Sequence, residues 1–373
     1  MERYRVLRID EQLYGCEELP EGQPVLCDVL LEDPSGQRRV LAYPDAELTR
    51  LDIHEGDTVH LCCHTLTKCQ EEHMKEIQSS ALIGLGALGI LFGRKMPGVQ
   101  VIADADRIAR YSASPVVCNG EACHFDYLTP AEGKPVDLIL IAVKATVLEQ
   151  AIRDIAKFVG PDTVILSVLN GITSEEAVEA AYPGHTLWSV AIGMDATRVG
   201  RSLTFGAAGR IQFGEKNGQM TERVRRVADY LDTCGIANEP CSDILYKQWN
   251  KLMVNDGLNQ AAAAFDLPYG GLTQPGPAMD KMFEAMNEVI RLSQLEGVNL
   301  PDDNAHTVYD PMAASFKPEG MPSMRQDVLA HRPTEVEEFA GVVRRLAKKH
   351  GMPTPANDFF YEKIKEIEAS WEN

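Results

Sequence analysis

The chain has 373 residues, 45% hydrophobic and 24% charged, which are ordinary proportions for globular domains, and its length suits two or three of them. Acidic residues outnumber basic ones 55 to 36, giving a formal net charge of −19. Nucleic acids and anionic membrane surfaces are bound by clustered Lys and Arg, so neither is expected as a partner. The longest apolar stretch, 81–93, is shorter than the roughly 20 residues needed to cross a bilayer, and the charged start MERYRVLRIDEQ does not read as a signal peptide. Nine cysteines, an odd number, suit reduced thiols in a cytoplasmic protein.

Residues 1–77 alternate short apolar runs (4–9, 24–31, 39–43, 56–61) with Pro and Gly turn signals such as Asp33-Pro34-Ser35-Gly36. That pattern predicts a small β-rich module, a barrel or sandwich, with no assigned role. A polar stretch at 71–79 reads as a linker or short helix. The density of His60, Cys62, Cys63, His64, Cys69 and His73 invites a zinc reading, but the spacing fits no standard site, so no metal is expected.

From residue 80 the pattern changes to strands alternating with helices. Apolar runs at 81–83, 99–103, 136–143 and 163–169 predict parallel strands, with later strands at 186–192 and 210–213. Residues 145–158 have helical periodicity. This is the signature of an α/β, Rossmann-type dinucleotide-binding domain, placed at 78–243. Strand signals then stop. Segments 245–265, 278–295, 334–350 and 358–368 predict an all-helical C-terminal domain over 244–373. Thr334 and Glu337 fit a capping box, and Gly351 with Pro353 a helix stop.

Gly84, Gly86 and Gly89 form G-x-G-x-x-G between a strand and a helix, with Leu85, Ala87 and Leu88 completing the loop. Glycines there allow the tight turn, the approach of a pyrophosphate and the packing of helix on strand. Asp104 lies twenty residues past Gly84, where an acid would accept a ribose hydroxyl and favour NAD. Asp106 could serve likewise, whereas Arg107, with Arg110 one helical turn on, would favour the 2′-phosphate of NADP.

Lys251, Asn255 and Asn259 recur every four residues and form one polar stripe on a helix. One amine and two amides can bind a small polar molecule and deliver a proton to it. Gly257 inside that helix costs about 1 kcal/mol against Ala, which points to a close approach by a neighbour.

Taken in order, GLGALG (84–89), Arg107, AVK (142–144), LNG (169–171), WNKLMVNDGLNQ (249–260), PSMRQDVLAHRPTEVE (322–337) and PTPAN (353–357) make the chain from about 81 to 357 resemble the ketopantoate reductase family. The resemblance implies reduction of 2-dehydropantoate to (R)-pantoate, usually with NADPH. It implies Lys251 as the general acid, Asn255, Asn259 and Ser323 as substrate-binding groups, and Glu335 bridging substrate and cofactor. Lys144 and Asn170 would lie at the nicotinamide half of the cofactor and Arg107 at the adenosine end. A homodimer is possible.

Chemistry agrees with the implied roles, since hydride delivery to a ketone builds alkoxide charge that an ammonium stabilises and protonates. Lys251, facing Glu335 and a substrate carboxylate, is expected to keep an unlowered pKa and to be protonated at neutral pH. The site is expected in the cleft between the last two domains, at the carboxyl edge of the sheet. The competing class is a nucleotide-binding sensor without catalysis, and relatives acting on other 2-oxo acids share the same motifs.

Overall fold

A computed structural model describes residues 2–12, 24–33, 35–62, 64–68 and 76–371. The chain separates into two compact units, Met1–His73 and Met74–Asn373.

The first unit is one antiparallel sheet. Strands β1 (Glu2–Glu11), β2 (Leu26–Glu32), β3 (Arg38–Pro44), β4 (Thr58–Cys62) and β5 (Thr65–Lys68) lie in the order β3-β2-β1-β4-β5. Alternation puts Val29 and Leu31 of β2 on the buried face, where they pack with Val6, Val59 and Leu66. A short helix, α1 (Asp45–Arg50), adds Leu48 to this core. Among the described residues β3 and β5 do not pair, so the module is an open sheet with a helix, not the expected barrel or sandwich. The helix escaped the sequence reading because its six residues hold one apolar side chain besides alanine, Leu48, too few for a period. Cys63, Cys69 and His73 of the histidine–cysteine cluster, and most of the 71–79 linker, lie outside the described residues.

The second unit opens with β6 (Ser80–Ile83), α2 (Ala87–Gly93), β7 (Gln100–Ile102) and α3 (Ala105–Ala113). Short strands β8 (Val117–Cys118), β9 (Glu121–Ala122) and β10 (Asp126–Leu128) follow, then β11 (Val136–Ile141), α4 (Leu148–Asp154), β12 (Val159–Ser167) and α5 (Ser174–Ala181). Six strands run parallel in the order β10-β7-β6-β11-β12-β13. Apolar side chains cover both faces of this sheet, with Leu82, Leu138 and Leu166 on one side and Ile83, Ile139 and Ile165 on the other. Chain order reverses between β6 and β11, which places a binding crevice at their carboxyl ends. The two late strands are far longer than their apolar cores suggested. β13 (Thr186–Val199) and β14 (Ser202–Gly214) form one antiparallel hairpin that extends the sheet and projects past it. Small and polar residues in its outer half gave no apolar alternation to read. Helix α6 (Glu222–Thr233) and strand β15 (Asn238–Pro240) close this half.

From Ile244 the unit is helical: α7 (Ile244–Val254), α8 (Gln260–Ala264), α9 (Tyr269–Leu272), α10 (Pro277–Leu295), α11 (Asn304–Ala313), α12 (Ser323–Leu329), α13 (Val342–Lys349) and α14 (Pro355–Ser370). The predicted helix over 245–265 is interrupted by a π-helical turn, Asn255–Asn259, and that over 334–350 begins with another, Glu337–Gly341. The Thr334 capping box does not form. The Thr334 N–H and hydroxyl both donate to Glu368, at 2.8 and 2.7 Å, while Glu337 accepts from Tyr361. Tertiary partners took both ends of the motif.

Gly257 sits in the first π turn against α10. A Cβ there would lie 2.5 Å from the Met286 Cγ and 2.9 Å from the Met282 carbonyl oxygen. Replacing Gly257 with Val should therefore destabilise the chain by about 1–3 kcal/mol, the usual scale of overpacking, because relief requires moving backbone. Denaturant unfolding of the variant measures this, and an unchanged midpoint would show that α10 yields freely.

Candidate active site

The glycine loop links β6 to α2 at the reversal point of the sheet. Gly84 has φ +99°, and a Cβ on it would lie 2.5 Å from the Ala142 carbonyl oxygen. A Cβ on Gly89 would lie 1.9 Å from the Gly84 carbonyl, so helix and turn touch through bare backbone. Gly86 differs, because its nearest neighbour, Ala142 O, would be 3.5 Å from an added Cβ, an ordinary contact. Protein packing demands glycine at 84 and 89 but leaves space beside Gly86. Among the described residues the N–H groups of Gly86, Ala87 and Leu88 have no hydrogen-bond partner. Free N–H groups beside open space are what a pyrophosphate requires. The loop fits a dinucleotide.

At the end of β7, Asp104 caps α3. Its Oδ1 accepts the Arg107 N–H at 2.7 Å, and its Oδ2 lies 3.3 Å from Arg107 Nε. Both side chains are more than half exposed. Asp106 is exposed as well.

Lys144 follows β11 and Asn170 follows β12, at the carboxyl ends of adjacent parallel strands. The Lys144 ammonium pairs with Asp327 at 3.2 Å and donates to the Pro333 carbonyl at 3.2 Å. Asn170 makes the central link. Its Nδ2 donates to Glu335 Oε2 at 2.8 Å, and its Oδ1 accepts from Lys251 Nζ at 2.8 Å. Lys251 also donates to the Ala191 carbonyl of β13 at 2.7 Å. Next to Asn170, Gly171 adopts φ +90° and packs on Glu338, which accepts from Thr173 at 2.9 Å. Lys144, Thr146, Arg332, Glu335 and Glu338 line a cavity of 280 Å³ between sheet edge and helices.

Burial dominates the electrostatics. Desolvation lowers the Lys251 pKa to about 8, against the pull of Glu335 and Glu175. The sequence-based expectation of an unlowered pKa is therefore corrected, since the neighbouring acids only partly offset the loss of water. Protonation at neutral pH survives, because a pKa one unit above pH 7 leaves roughly nine-tenths of the lysine charged. Burial likewise pushes the Glu335 carboxyl up, opposed by the Asn170 hydrogen bond and by Lys144. Glu175, absent from the expected site, is buried behind Lys251, and desolvation raises its pKa to about 7. It accepts from Gln248 at 2.8 Å, from Ser174 at 2.9 Å and from the Ser189 N–H at 3.3 Å.

Asn255 and Asn259 lie one turn apart on the π-helical segment that follows α7. Neither side-chain amide has a hydrogen-bond partner among the described residues, although Asn259 is buried. Ser323 starts α12, with its hydroxyl exposed. Strands and helices thus converge on Lys251, Asn170 and Glu335, while Arg107 stands apart at the end of β7. The sequence reading missed Ala191, Asp327 and Glu175. Ala191 acts through its carbonyl, which no residue type announces. Asp327 lies within the 322–337 motif but looked like any helix-surface acid.

The chain is similar to known proteins across both halves of its second unit. The model for "Ketopantoate reductase PanE/ApbA" matches residues 80–218, and that for "Ketopantoate reductase PanE/ApbA C terminal" matches residues 243–368. The chain belongs to the ketopantoate reductase family. It is an oxidoreductase with the family's α/β and helical halves, preceded by an additional antiparallel sheet. A 2-dehydropantoate 2-reductase of Streptococcus pyogenes is 27% identical over 290 residues, 74% of this chain and 92% of the relative. A ketopantoate reductase structure from Ralstonia eutropha covers 79% of this chain and 100% of its own at TM-score 0.69 and 21% identity. The ternary structure of D-mandelate dehydrogenase with NADH and anilino(oxo)acetate matches with the same coverages, at TM-score 0.70 and 24% identity. At those identities the two structures attest the fold.

Carbon-13-labelled lysine NMR can follow Lys251 directly. Its ammonium should titrate near 8. Glu175→Gln should lower that value, because an ionised Glu175 favours the charged lysine. A Lys251 titrating above about 10, the range of an ordinary solvated lysine, would exclude the desolvated setting described here.

Proposed function

We propose that the protein reduces a 2-oxo acid with a nicotinamide dinucleotide, with 2-dehydropantoate as substrate, (R)-pantoate as product and NADPH as preferred cofactor. One observation carries the proposal. The Lys251 ammonium has three N–H donors, and Asn170 and Ala191 fix two of them, leaving the third for a substrate oxygen. A sensor needs no such aimed, desolvated ammonium.

A bound nicotinamide would supply hydride to the carbonyl carbon. Charge then gathers on the carbonyl oxygen, and Lys251 Nζ donates its remaining proton there. A pKa near 8 makes Lys251 a stronger acid than an ordinary lysine while keeping it protonated at neutral pH. Asn255 and Asn259 offer amides with no internal claim on them, and Ser323 a free hydroxyl, to hold the substrate carboxylate and hydroxyl. Glu335 accepts a hydrogen bond from the substrate hydroxyl and, through Asn170, orients Lys251. Lys144, Asn170 and the 84–89 loop hold the cofactor, with Arg107 at its adenosine end. In this reading 78–243 carries the cofactor, 244–373 the substrate groups, and 1–77 is an accessory module. The setting is cytoplasmic.

Loss of nicotinamide absorbance on adding 2-dehydropantoate, beside a panel of aliphatic and aryl 2-oxo acids, tests the reading. Turnover of another acid in preference would reassign the substrate, and cofactor binding with no turnover of any would favour the sensor. Lys251→Ala should lower kcat at least about 100-fold, the lower bound for losing a general acid, with cofactor affinity retained. A fall under tenfold would remove Lys251 from the chemistry. Arg107→Ala should weaken NADPH binding by about 1.5–3 kcal/mol and leave NADH nearly unaffected. Equal losses would show that Arg107 does not read the 2′-phosphate.

A further inference from the structure

The β13–β14 hairpin contributes Ala191 to the site, and its far end touches the glycine loop and the end of α3. Arg201 donates to the Arg110 carbonyl at 2.6 Å and to that of Ser114, at the end of α3. Arg198 donates from Nε to the Gly200 carbonyl at 3.0 Å, and from Nη1 to the carbonyl of Leu85 inside the glycine loop. Arg198 is half-buried, and among the described residues it has no carboxylate partner, in a chain with 19 more acids than bases. Its Nη2 has no acceptor among them either. Acids are plentiful, but this guanidinium ends on a loop carbonyl with donors to spare.

The identity of that carbonyl decides what the contact does. A trans peptide is planar, so the Leu85 C=O and the Gly86 N–H point in opposite directions. By holding the carbonyl, Arg198 turns the Gly86 N–H the other way. Gly86 is the loop position with space beside it and an N–H without a partner. Arg198 also brings a permanent positive charge to a loop whose other donors are neutral backbone.

We propose that Arg198 is a positioning residue for the pyrophosphate of the dinucleotide, fixing the Leu85–Gly86 peptide and adding positive charge at the loop. The inference rests on the dinucleotide reading of that loop given above. It separates two arginines by task. Arg107 stands at the end of β7, where only a 2′-phosphate would distinguish cofactors. Arg198 acts where NADH and NADPH are identical.

Titrating NADH and NADPH into the full-length protein and into Arg198→Ala and Arg198→Lys, by nicotinamide fluorescence, tests this. Arg198→Ala should weaken both cofactors by the same factor, roughly ten- to a hundredfold for a charge-assisted contact. In steady-state assays the loss should fall on KM for the cofactor more than on kcat. Arg198→Lys should recover part of the affinity, because charge returns without the planar fork. Loss confined to NADPH would overturn the proposal by making Arg198 a reader of the 2′-phosphate. A lowered melting temperature with cofactor affinity intact would reduce it to a structural staple. If the unmodified protein bound neither cofactor, the dinucleotide reading would fall, and this inference with it. If the unmodified protein bound both and Arg198→Ala bound them equally well, only the inference would fall.

Discussion

Everything in the candidate site depends on keeping one ammonium charged where water has been largely removed. An isolated buried cation neutralises itself, because desolvation penalises only the charged form. Lys251 escapes that outcome through two short hydrogen bonds, to Asn170 and to the Ala191 carbonyl, and through the fields of Glu335 and Glu175. These supports come from a strand end, a strand interior, helix α5 and the loop that precedes the second π turn. Their assembly fixes the helical half on the sheet edge, so the electrostatics of the site and the packing of the two halves are one constraint. Lys144 adds a tie of the same kind through Asp327 and the Pro333 carbonyl.

The turn that carries Asn255 and Asn259 is held by a second buried system. Asp256 is fully buried in the π turn between Asn255 and Gly257, where its Oδ1 accepts from Gln260 at 2.9 Å. Burial, together with nearby Glu288, raises its pKa well above the usual carboxylate range. Glu288 is anchored by the Ala356 and Asn357 N–H groups and by the Asn357 amide, at 2.8–3.0 Å. This ties the PTPAN segment, distant in sequence, to the turn that carries Asn255 and Asn259. π turns widen a helix by one residue at a cost in backbone bonding, and they recur at functional positions for that reason.

Legibility from sequence followed the range of the forces involved. The glycine loop, the buried strands and the Lys251 stripe were visible because each is written in local spacing. The two π turns were not, since period alone cannot separate them from the α-helix around them. Thr334 and Glu337 spelled a capping box, but Glu368 and Tyr361, brought in by the fold, outcompeted it. The outer half of the 186–214 hairpin was hidden because the residues that alternate inward on β13 there, Ile192, Met194, Ala196 and Arg198, are only half-buried and too mixed in character to read as an apolar stripe. The pKa of Lys251 was misjudged for a related reason: its charged neighbours could be named from motifs, whereas its loss of water is a property of the whole fold.

On the proposed function, the choice between NADPH and NADH would be made just past β7, at Asp104 and Arg107. The Asp104–Arg107 ion pair is exposed on both sides, so it contributes at most about 1 kcal/mol. Arg107 can therefore turn from Asp104 to a 2′-phosphate at little cost. Asp104 stays in place regardless, because its Oδ1 caps α3, an interaction typically worth about 1 kcal/mol. Its Oδ2 would then face a ribose hydroxyl if Arg107 moved aside, and would repel a phosphate brought near. The two residues thus pull in opposite directions over the same few ångströms. The gain from a charge-assisted bond to phosphate exceeds that from a carboxylate accepting a hydroxyl only while Arg107 lies between the phosphate and Asp104. On that reading, selectivity at this position would turn on where the exposed Arg107 guanidinium rests.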